Sequence, residues 1–344
     1  TSQTGETSDV VLTGLDFSGW KRLSTALPEN ARTLSALNVV YGGSGVSSGT
    51  LWLDQITTAN EDFVDETAPT VTLKVSGTAV TATVSDNVDQ SFAAASLTLT
   101  LDGRVLDFQW DASKSALTAK LPAADGKLHR LTVTAADQSG NIGRASHDIQ
   151  PASSTDPEAP GYTGPFVDMT THWARAYTTY LYDMGVTNGV ETTEGLQFQP
   201  EKNITRGEFA LMVTRWMGLN PDDYAGVELP FADLASIPSW MLGGMKATYS
   251  LGILKGSLEG GQLVSRATET ISRAEAMTIL GRIQPKGYPL AALTFNDAAS
   301  VAGWARSHVQ SLVGQGVISG YDNQLRPNDP VKRSEVAKML YAIL

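Results

Sequence analysis

Ile204-Thr205-Arg206-Gly207-Glu208 is the stretch that decides the fold, because close copies of it return twice further along the chain. The second copy is Ile271-Ser272-Arg273-Ala274-Glu275, and the third is Val331-Lys332-Arg333-Ser334-Glu335. A branched aliphatic residue, an arginine and a glutamate keep the same places in all three copies. Such recurrence indicates internal repeats, each of which buries its apolar face against its neighbours.

Further landmarks recur at matching offsets ahead of each copy. Each unit opens with Phe-x-Asp, continues to a tryptophan, and then places one glycine twelve residues after the tryptophan and another four residues later. The landmarks of the three units are, in order, Phe166, Asp168, Trp173, Gly185 and Gly189; Phe231, Asp233, Trp240, Gly252 and Gly256; and Phe295, Asp297, Trp304, Gly316 and Gly320. We therefore predict three repeats, at 166–220, 231–284 and 295–344, within a region that covers 166–344.

The spacing within a unit predicts two helices. In the first unit, apolar residues recur at helical intervals from Trp173 to Met184, which is typical of a helix with one buried face. Asp168 or the pair Thr170-Thr171 is expected to cap the start of this helix, and Gly185 to end it. Thr205 with Glu208 has the spacing of a capping box for the second helix.

The third unit departs from the capping pattern. Ser272 with Glu275 repeats the capping box of the first unit, but Lys332 stands where the third unit needs a hydroxyl. An ammonium group has no acceptor for a backbone N–H. We therefore expect the last helix to be less well capped. The second unit also departs, because Leu263-Val264-Ser265-Arg266 replaces the Pro-containing loop of the other two, and its groove is expected to differ in shape.

These motifs resemble those of the S-layer homology family over about 180 residues of the chain. The resemblance implies an all-α, pseudo-three-fold helical bundle whose inter-repeat grooves bind anionic, typically pyruvylated, secondary cell-wall polysaccharide. It also implies the site residues, matched position by position. The candidates are Asp168, Trp173, Gly189 and Arg206; Asp233, Trp240, Gly256 and Arg273; and Asp297, Trp304, Gly320 and Arg333.

The chemistry of these residue types suits an acidic sugar. An arginine just after a helix N-cap lies beside free backbone N–H groups, and its guanidinium can bind a carboxylate in a bidentate way. An aromatic face supports the apolar side of a sugar ring. Two alternatives stay open: tryptophans at helical spacing are often core residues, and the arginines could pair with neighbouring glutamates. The glutamates themselves are assigned to capping, the glycines mainly to turns and the repeat-initial phenylalanines to the core.

The N-terminal half is predicted to be all-β. Residues 66–150 alternate apolar and polar residues in six or seven short segments separated by turns, which predicts an antiparallel sandwich and resembles bacterial immunoglobulin-like spacer domains. Residues 1–62 resemble the end of a jelly-roll carbohydrate-binding module. Residues 151–165, rich in proline and small polar residues, predict a semi-extended linker. One end of the sandwich could gather Asp86, Asp89, Asp137 and Asn141 around calcium, with turn chemistry as the alternative.

Composition excludes several functions. The chain of 344 residues has no cysteine, which excludes disulfides and thiolate sites. Most of the net charge of −11 lies in the first half, which argues against nucleic acid as a partner. No apolar run is long enough for a membrane span, and the first residues do not form a signal peptide, so we expect an exported chain whose leader is absent or removed. The expected partner is the cell wall, with no membrane insertion and a monomeric state.

The predicted function is non-covalent anchoring of an exported protein to a Gram-positive type cell wall. No catalytic, metal or cofactor motif stands out, since the four histidines lack ligand spacing and the sequence contains no phosphate-binding loop or nucleophile elbow. One alternative is the C-terminal fragment of a surface glycoside-acting or phosphodiester glycosidase-like hydrolase whose catalytic domain lies upstream. Another is an S-layer lattice protein or adhesin.

Overall fold

The computed structural model describes residues 65–149 and 164–344. The chain divides into two compact units, Thr1–Asp65 and Glu66–Leu344. The jelly-roll prediction for 1–62 therefore lies outside the described residues, as does nearly all of the predicted linker 151–165. Within the second unit, a β-rich region precedes a helical one, which confirms the predicted order of fold classes.

The β-rich region consists of two four-stranded antiparallel sheets. One has the order β1-β2-β6-β5 and the other β4-β3-β7-β8. The strands are β1 (Thr70–Ser76), β2 (Ala79–Ser85), β3 (Leu97–Leu101), β4 (Arg104–Val105), β5 (Gln109–Asp111), β6 (Ala116–Lys120), β7 (His129–Ala136) and β8 (Ile142–Ile149).

The alternating pattern of the strands decides which side chains the two sheets bury. In β2 every second residue is buried, and Val80 and Ala82 pack with Leu117 of the same sheet and with Leu99 and Val133 of the other. Alternate side chains of a strand point to opposite faces, so a period of two places all of these groups between the sheets. This shared apolar layer holds the two sheets together.

Turn chemistry accounts for the acidic end of the sandwich. Asp86 accepts the backbone N–H groups of Val88 and Asp89, and Asp137 accepts the backbone N–H of Asn141 at 2.8 Å. Asp89 in turn accepts the backbone N–H of Gln138, so the two turns meet. These bonds are those of Asp-initiated turns. The calcium site remains a prediction.

The helical region carries six α-helices among the described residues. They are α1 (Arg175–Asp183), α2 (Arg206–Trp216), α3 (Ser239–Ser250), α4 (Arg273–Ile283), α5 (Gly303–Gly314) and α6 (Arg333–Ala342). Two short hairpins join helices within the first and second repeats: β9 (Val190–Thr192) with β10 (Gly195–Gln197), and β11 (Ser257–Glu259) with β12 (Gln262–Val264). In the third repeat, a single bridge between Tyr321 and Gln324 takes the hairpin's place.

The second helix of each repeat contributes to one apolar core. Phe209 of α2, Met277 of α4 and Val336 of α6 are fully buried and belong to the same cluster, together with Val309 of α5. At about 25 cal/mol per Å² of apolar surface, fully burying side chains of this size contributes about 1.5–3 kcal/mol each. The repeats therefore share a core, as expected of units that cannot bury their apolar faces alone.

The sandwich packs directly against the helical region. Arg144 of β8 donates to the carbonyl oxygens of Ala342 and Leu344 at 2.9 and 3.1 Å, and the hydroxyl of Thr132 on β7 donates to the Leu344 oxygen at 2.9 Å. The hydroxyl of Tyr341 on α6 donates to Asp148 of β8 at 3.1 Å. The proline-rich linker gave no indication of this contact. Among the described helices, none is long and apolar enough to cross a membrane.

Candidate functional site

The three motif copies meet backbone to backbone in a closed ring. The N–H of Ile204 donates to the carbonyl of Val331, the N–H of Val331 to that of Ile271, and the N–H of Ile271 to that of Ile204, at 3.0 to 3.1 Å. Each of the three side chains is fully buried. The copies that the sequence places far apart therefore lie together, and every repeat contacts both of the others.

The ring places each arginine against the glutamate of the next repeat. Arg206 pairs with Glu275 and Arg273 with Glu335, each through Nη1 and Oε1 at 2.6 Å. The third pair closes the circle, with Nη1 of Arg333 3.8 Å from Oε1 of Glu208.

The capping glutamates therefore have two roles. Glu208 accepts the backbone N–H of Thr205 and Glu275 that of Ser272, while the Thr205 and Ser272 hydroxyls accept the glutamate N–H groups in return. The two capping boxes predicted from the sequence are present, and both helices begin directly after the capping residue. The sequence does not show that an arginine of the preceding repeat binds the same carboxylate.

The third capping position differs, as expected. Glu335 accepts the backbone N–H of Lys332, but the lysine has no acceptor to return the bond. Lys332 instead pairs with Glu201, which also contacts His172 at 3.0 Å. The ammonium group of Lys332, next to Arg333, is thus held in an ion pair with Glu201.

A second bond fixes each guanidinium. The Nε atoms donate to loop carbonyls of the next repeat: Arg206 to Ser265 at 3.0 Å, Arg273 to Leu325 at 2.8 Å and Arg333 to Phe198 at 2.9 Å. The side chains of Arg206 and Arg333 are about 7% and 9% exposed, and that of Arg273 about 12%. The sequence suggested a guanidinium that is open to a ligand beside the start of a helix. In the structure, each guanidinium is mostly buried and bonds to the neighbouring repeat.

Electrostatics agree with a structural role for the arginines. Burial lowers the pKa of Arg206 and of Arg333, and the partner carboxylates Glu275 and Glu208 offset only part of this shift. Burial raises the pKa of Glu208, but the hydrogen bond from Thr205 and the charges of Lys202 and Arg333 outweigh it, so its pKa lies below the ordinary value. The pairs are therefore ionised locks between repeats.

The repeat-initial aspartates do not cap the first helices. Asp168 accepts the backbone N–H groups of Phe198 and Gln199 at 2.9 and 2.7 Å. Asp233 and Asp297 do the same for the backbone N–H groups of Ser265 with Arg266 and of Leu325 with Arg326. The expectation that Asp168 or Thr170-Thr171 caps the first helix is therefore wrong, because the N-cap residue of α1 is Ala174, which receives no side-chain cap bond. The carboxylate of Asp168 is used about thirty residues later in the chain.

These aspartates hold a strained turn. Gln199, Arg266 and Arg326 all have positive φ, at 58°, 52° and 53°. Non-glycine residues rarely adopt this conformation without local support. Burial raises the pKa of Asp233, but the N–H groups of Ser265 and Arg266 outweigh it, so the net pKa is lowered and the group stays ionised. The second repeat, despite its different loop sequence, builds the same turn as the others.

The loop glycines pack against the repeat-initial phenylalanines. Gly189 has φ of 71°, and a Cβ added to it would lie 2.6 Å from Cε1 of Phe166 and 2.9 Å from the Gln197 oxygen. Gly256 and Gly320 show the same geometry against Phe231 and Phe295. Their main role is turn and packing geometry, as the sequence suggested.

The tryptophans are the exposed members of the site. Trp173, Trp240 and Trp304 are 45%, 56% and 57% exposed, although their helical spacing favoured the core. Trp240 and Trp304 lie in the first turn of α3 and α5, and Trp173 just precedes α1. Each repeat therefore presents one large aromatic surface to solvent next to a junction between repeats. As polysaccharide ligands, the twelve candidate residues remain a prediction.

The helical region thus consists of three two-helix repeats, joined by a hairpin in the first two and by a single bridge in the third. Arginine-glutamate pairs lock the repeats in a ring, and each repeat exposes one tryptophan. Residues 165–210 and 294–337 match the family model of the S-layer homology domain. The chain thus contains S-layer homology domains at these two places, which confirms the resemblance seen in the sequence. The middle repeat lies outside the matched ranges but makes the same lock, capping-box and turn contacts.

Similar proteins include enzymes and cell-surface proteins. The chain is 29% identical over 189 residues to an amylopullulanase of Thermoanaerobacterium thermosulfurigenes, which is 53% of this chain and 10% of that protein. It is 30% identical over 155 residues to cell surface glycoprotein 1 of Acetivibrio thermocellus, which is 42% of this chain and 6% of that protein. It is 28% identical over 154 residues to the cellulosome-anchoring protein of the same organism, which is 42% of this chain and 32% of that protein. The matches thus span under a third of each relative.

Proposed function

We propose that this chain anchors an exported protein non-covalently to a bacterial cell wall by binding an anionic, pyruvylated secondary wall polysaccharide. The observation that carries the proposal is the exposure of one tryptophan per repeat at equivalent places, two of them, Trp173 and Trp304, within segments that match S-layer homology domains. An exposed indole offers a flat apolar face to a sugar ring, and its N–H can donate a hydrogen bond. The names of two relatives, a cell surface glycoprotein and a cellulosome-anchoring protein, support a place at the cell surface.

The twelve predicted residues divide into two roles in this proposal. The tryptophans contact the sugar, while the aspartates, glycines and arginines shape the loop and fix the angle between neighbouring repeats. A groove between repeats keeps its shape only if both walls are fixed, and rigid sites cost less to occupy than mobile ones. The arginine ring thus contributes to binding through preorganisation, with any direct contact made by the guanidinium atoms that remain at the surface.

The finer architecture belongs to the same proposal. The cyclic bonds between motif copies support a pseudo-three-fold bundle composed of repeats 166–220, 231–284 and 295–344. The facing sheets within 66–150 support an immunoglobulin-like spacer. We take the chain to act as a monomer, outside the cell, without a nucleic-acid partner and without insertion into a membrane.

A second candidate function concerns the whole protein. The amylopullulanase match covers 10% of that enzyme, so the shared segment is a small part of it. This favours the hypothesis that the described region is a non-catalytic anchor of a longer protein. A surface glycoside-acting hydrolase would then lie elsewhere in that protein. A lattice protein or adhesin is the remaining alternative, and regular sheets in electron micrographs would support it.

Sedimentation with purified cell walls tests the anchoring proposal. The wild-type chain is expected to sediment with the walls, and a variant with Trp173, Trp240 and Trp304 all changed to alanine is expected to stay in solution. Val105→Ala, at a site 72% exposed on the sandwich, is the control for the loss of an exposed apolar group. Equal sedimentation of the tryptophan variant and wild type would contradict the proposal.

Arginine variants are poorer probes of binding. Changing Arg206 and Arg273 to alanine removes two of the three locks between repeats, so release from the wall would follow from loss of the ring as well as from loss of a ligand contact. The tryptophans are exposed, so their removal leaves the core intact.

A further inference from the structure

The three junctions between neighbouring repeats are not equivalent in charge. One turn after each tryptophan, at the same place on the first helix, stand Tyr177, Gly244 and His308. His308 lies on α5 and packs against α4, since a Cβ added to Gly281 would be 2.7 Å from its Cβ and 2.8 Å from its Nδ1. Trp304 lies four residues before His308 on α5, a spacing that puts the two residues on the same face of the helix.

Three further cations gather at this junction. Arg282 of α4 donates through Nη1 to the carbonyl of Ile253 at 2.6 Å, which brings it to the loop that carries Lys255. Lys286 follows α4 by one turn, and both lysines are exposed. We call Lys255, Arg282, Lys286 and His308 the α4–α5 cation cluster.

The pKa of His308 supports the grouping. Burial lowers it most, and the positive charges of Arg282, Lys286 and Lys255 lower it further. Burial also lowers the pKa of Arg282, and the positive charge of Arg206 lowers it further. The cations therefore share one neighbourhood, and a nearby anion would relieve their mutual repulsion.

All three junctions contact other parts of the chain, and at the α4–α5 junction Gly287 accepts the backbone N–H of Ile142 of the sandwich at 2.7 Å. The other two junctions differ from it in the charges that those contacts bring. At the α2–α3 junction, the 3-10 turn Pro221–Tyr224 packs on α3, with Pro221 against Gly243, and it brings Asp222 and Asp223 to that region. At the α6–α1 junction, the Tyr341 ring lies 5.1 Å from that of Tyr177, and its hydroxyl bonds to Asp148 of the sandwich. Among residues 65–149 and 164–344, the cation near the α6–α1 junction, Arg130, is paired with Asp148 at 2.6 Å, and the charges brought to the α2–α3 junction by the 3-10 turn are acidic.

We propose that the acidic polysaccharide is held mainly at the α4–α5 junction, with a sugar ring on Trp304 and its carboxylate among Lys255, Arg282 and Lys286. The inference rests on the proposed function and deepens it, because it assigns the dominant groove and the groups that take the charge. Charge-assisted contacts are the stronger class of hydrogen bond, and several of them around one carboxylate favour an acidic over a neutral glycan. The tryptophans of the other two junctions then make a smaller contribution.

Titration of the full chain with purified pyruvylated wall polysaccharide tests this assignment. The double change Lys255→Gln with Lys286→Gln is expected to weaken binding at least tenfold, whereas Lys74→Gln with Lys120→Gln, two exposed lysines of the sandwich, changes it less than twofold. Trp304→Ala is expected to weaken binding tenfold and Trp240→Ala less than twofold, although the two rings are equally exposed. Thermal melts of each variant identify any loss of fold, and Arg282→Lys, which keeps the charge, is expected to retain most of the binding.

The possible results separate the two proposals. If wild type binds and the two lysine doubles bind equally well, the α4–α5 assignment is overturned and wall anchoring stands. If Trp240→Ala weakens binding as much as Trp304→Ala, the single dominant groove is overturned. If wild type does not bind this polysaccharide, the proposed function fails and this inference with it.

Discussion

At the scale of single residues, the same carboxylate both starts a helix and receives an arginine from the neighbouring repeat. Glu275 closes the capping box with Ser272 and binds Arg206 at 2.6 Å, and it also accepts a hydrogen bond from Arg266 at 2.9 Å. A buried guanidinium is tolerated only when it is paired and hydrogen-bonded. Arg206 satisfies this with Glu275 and the Ser265 carbonyl.

Breaking one lock should destabilise the whole ring. We expect Arg206→Met to lower the free energy of unfolding by roughly 3 kcal/mol, because it removes one partner of a largely buried pair. Arg306→Met, at an exposed position of α5, is the matched control and should cost about 0.5 kcal/mol or less. Urea unfolding followed by circular dichroism gives both values. Equal unfolding midpoints for the two variants would show that the pair is not a lock.

The loop glycines allow a second comparison at this scale. Gly185 and Gly189 share φ of 71°, but a Cβ at Gly185 meets nothing within 4 Å, whereas one at Gly189 meets Phe166 and Gln197. Gly185→Ala should lower the free energy of unfolding by about 1–2 kcal/mol, because alanine disfavours the left-handed conformation. Gly189→Ala should lower it by about 1–3 kcal/mol more, because the added methyl group overpacks the site. Equal losses in chemical unfolding would contradict the close contact.

At the scale of elements, the start of β7 forms a clasp onto the helical region. Lys127, just before β7, pairs with Asp183 of α1 at 2.6 Å, and Leu128 is buried in the apolar cluster of the helices. Next to them, His129 lies between Asp102 at 2.6 Å and Asp125 at 2.8 Å. Asp102 also accepts the backbone N–H of Arg130 at 2.9 Å. The imidazole thus ties the β3–β4 turn to the loop that docks on α1.

This clasp should weaken as the pH rises. Burial would lower the pKa of His129, but the hydrogen bonds to Asp102 and Asp125 and their charges outweigh it, so its pKa is raised above 6.5. The stabilisation is therefore complete below about pH 6.5 and is lost as the pH rises through the folded-state pKa. His129→Gln should reduce the melting temperature at pH 6 more than at pH 9, and His147→Gln, at an exposed histidine of β8, is the matched control variant. A pH-independent effect of His129→Gln would argue against a charged imidazole.

Capping and helix-stop motifs in the sequence predicted where helices begin and end, but the sequence did not predict the contacts between repeats. The Thr205–Glu208 capping box and the helix stop at Gly185 lie within one turn of sequence, so the residues themselves predict them. Asp168 was expected to act locally and instead binds Phe198, because a carboxylate binds whichever N–H groups the fold brings to it. The tryptophans stand at the helical spacing of the buried residues, but they lie at the start of each helix, where the surface is exposed. Periodicity alone does not show where along a helix the buried face ends.

At the scale of the whole molecule, the sandwich and the helical region belong to one compact unit. Arg144 bonds carbonyl oxygens at the end of α6, where the last C=O groups of a helix lack partners and a cation is favourable. Tyr341 joins the same contact by bonding Asp148, and Arg130 lies over its ring at 5.3 Å while pairing with Asp148 at 2.6 Å. The sandwich is therefore held against the helical region by polar bonds on both sides of β8.

Docking of this kind predicts that the two regions unfold together. A chain covering 66–344 should show one calorimetric transition, because polar bonds and a shared apolar cluster cross the contact. Arg144→Met with Tyr341→Phe should split or broaden that transition, since it removes bonds on both sides of β8. Two separate transitions in the unaltered chain would mean that the regions are independent.

We propose that the grooves between repeats bind an acidic wall polysaccharide. Equilibrium binding of the full chain to one purified polysaccharide, before and after removal of the pyruvyl groups, tests this proposal. We expect tight binding to the pyruvylated form and at least a tenfold loss once the carboxylates are gone, which corresponds to about 1.4 kcal/mol or more. Equal affinity for both forms would contradict it.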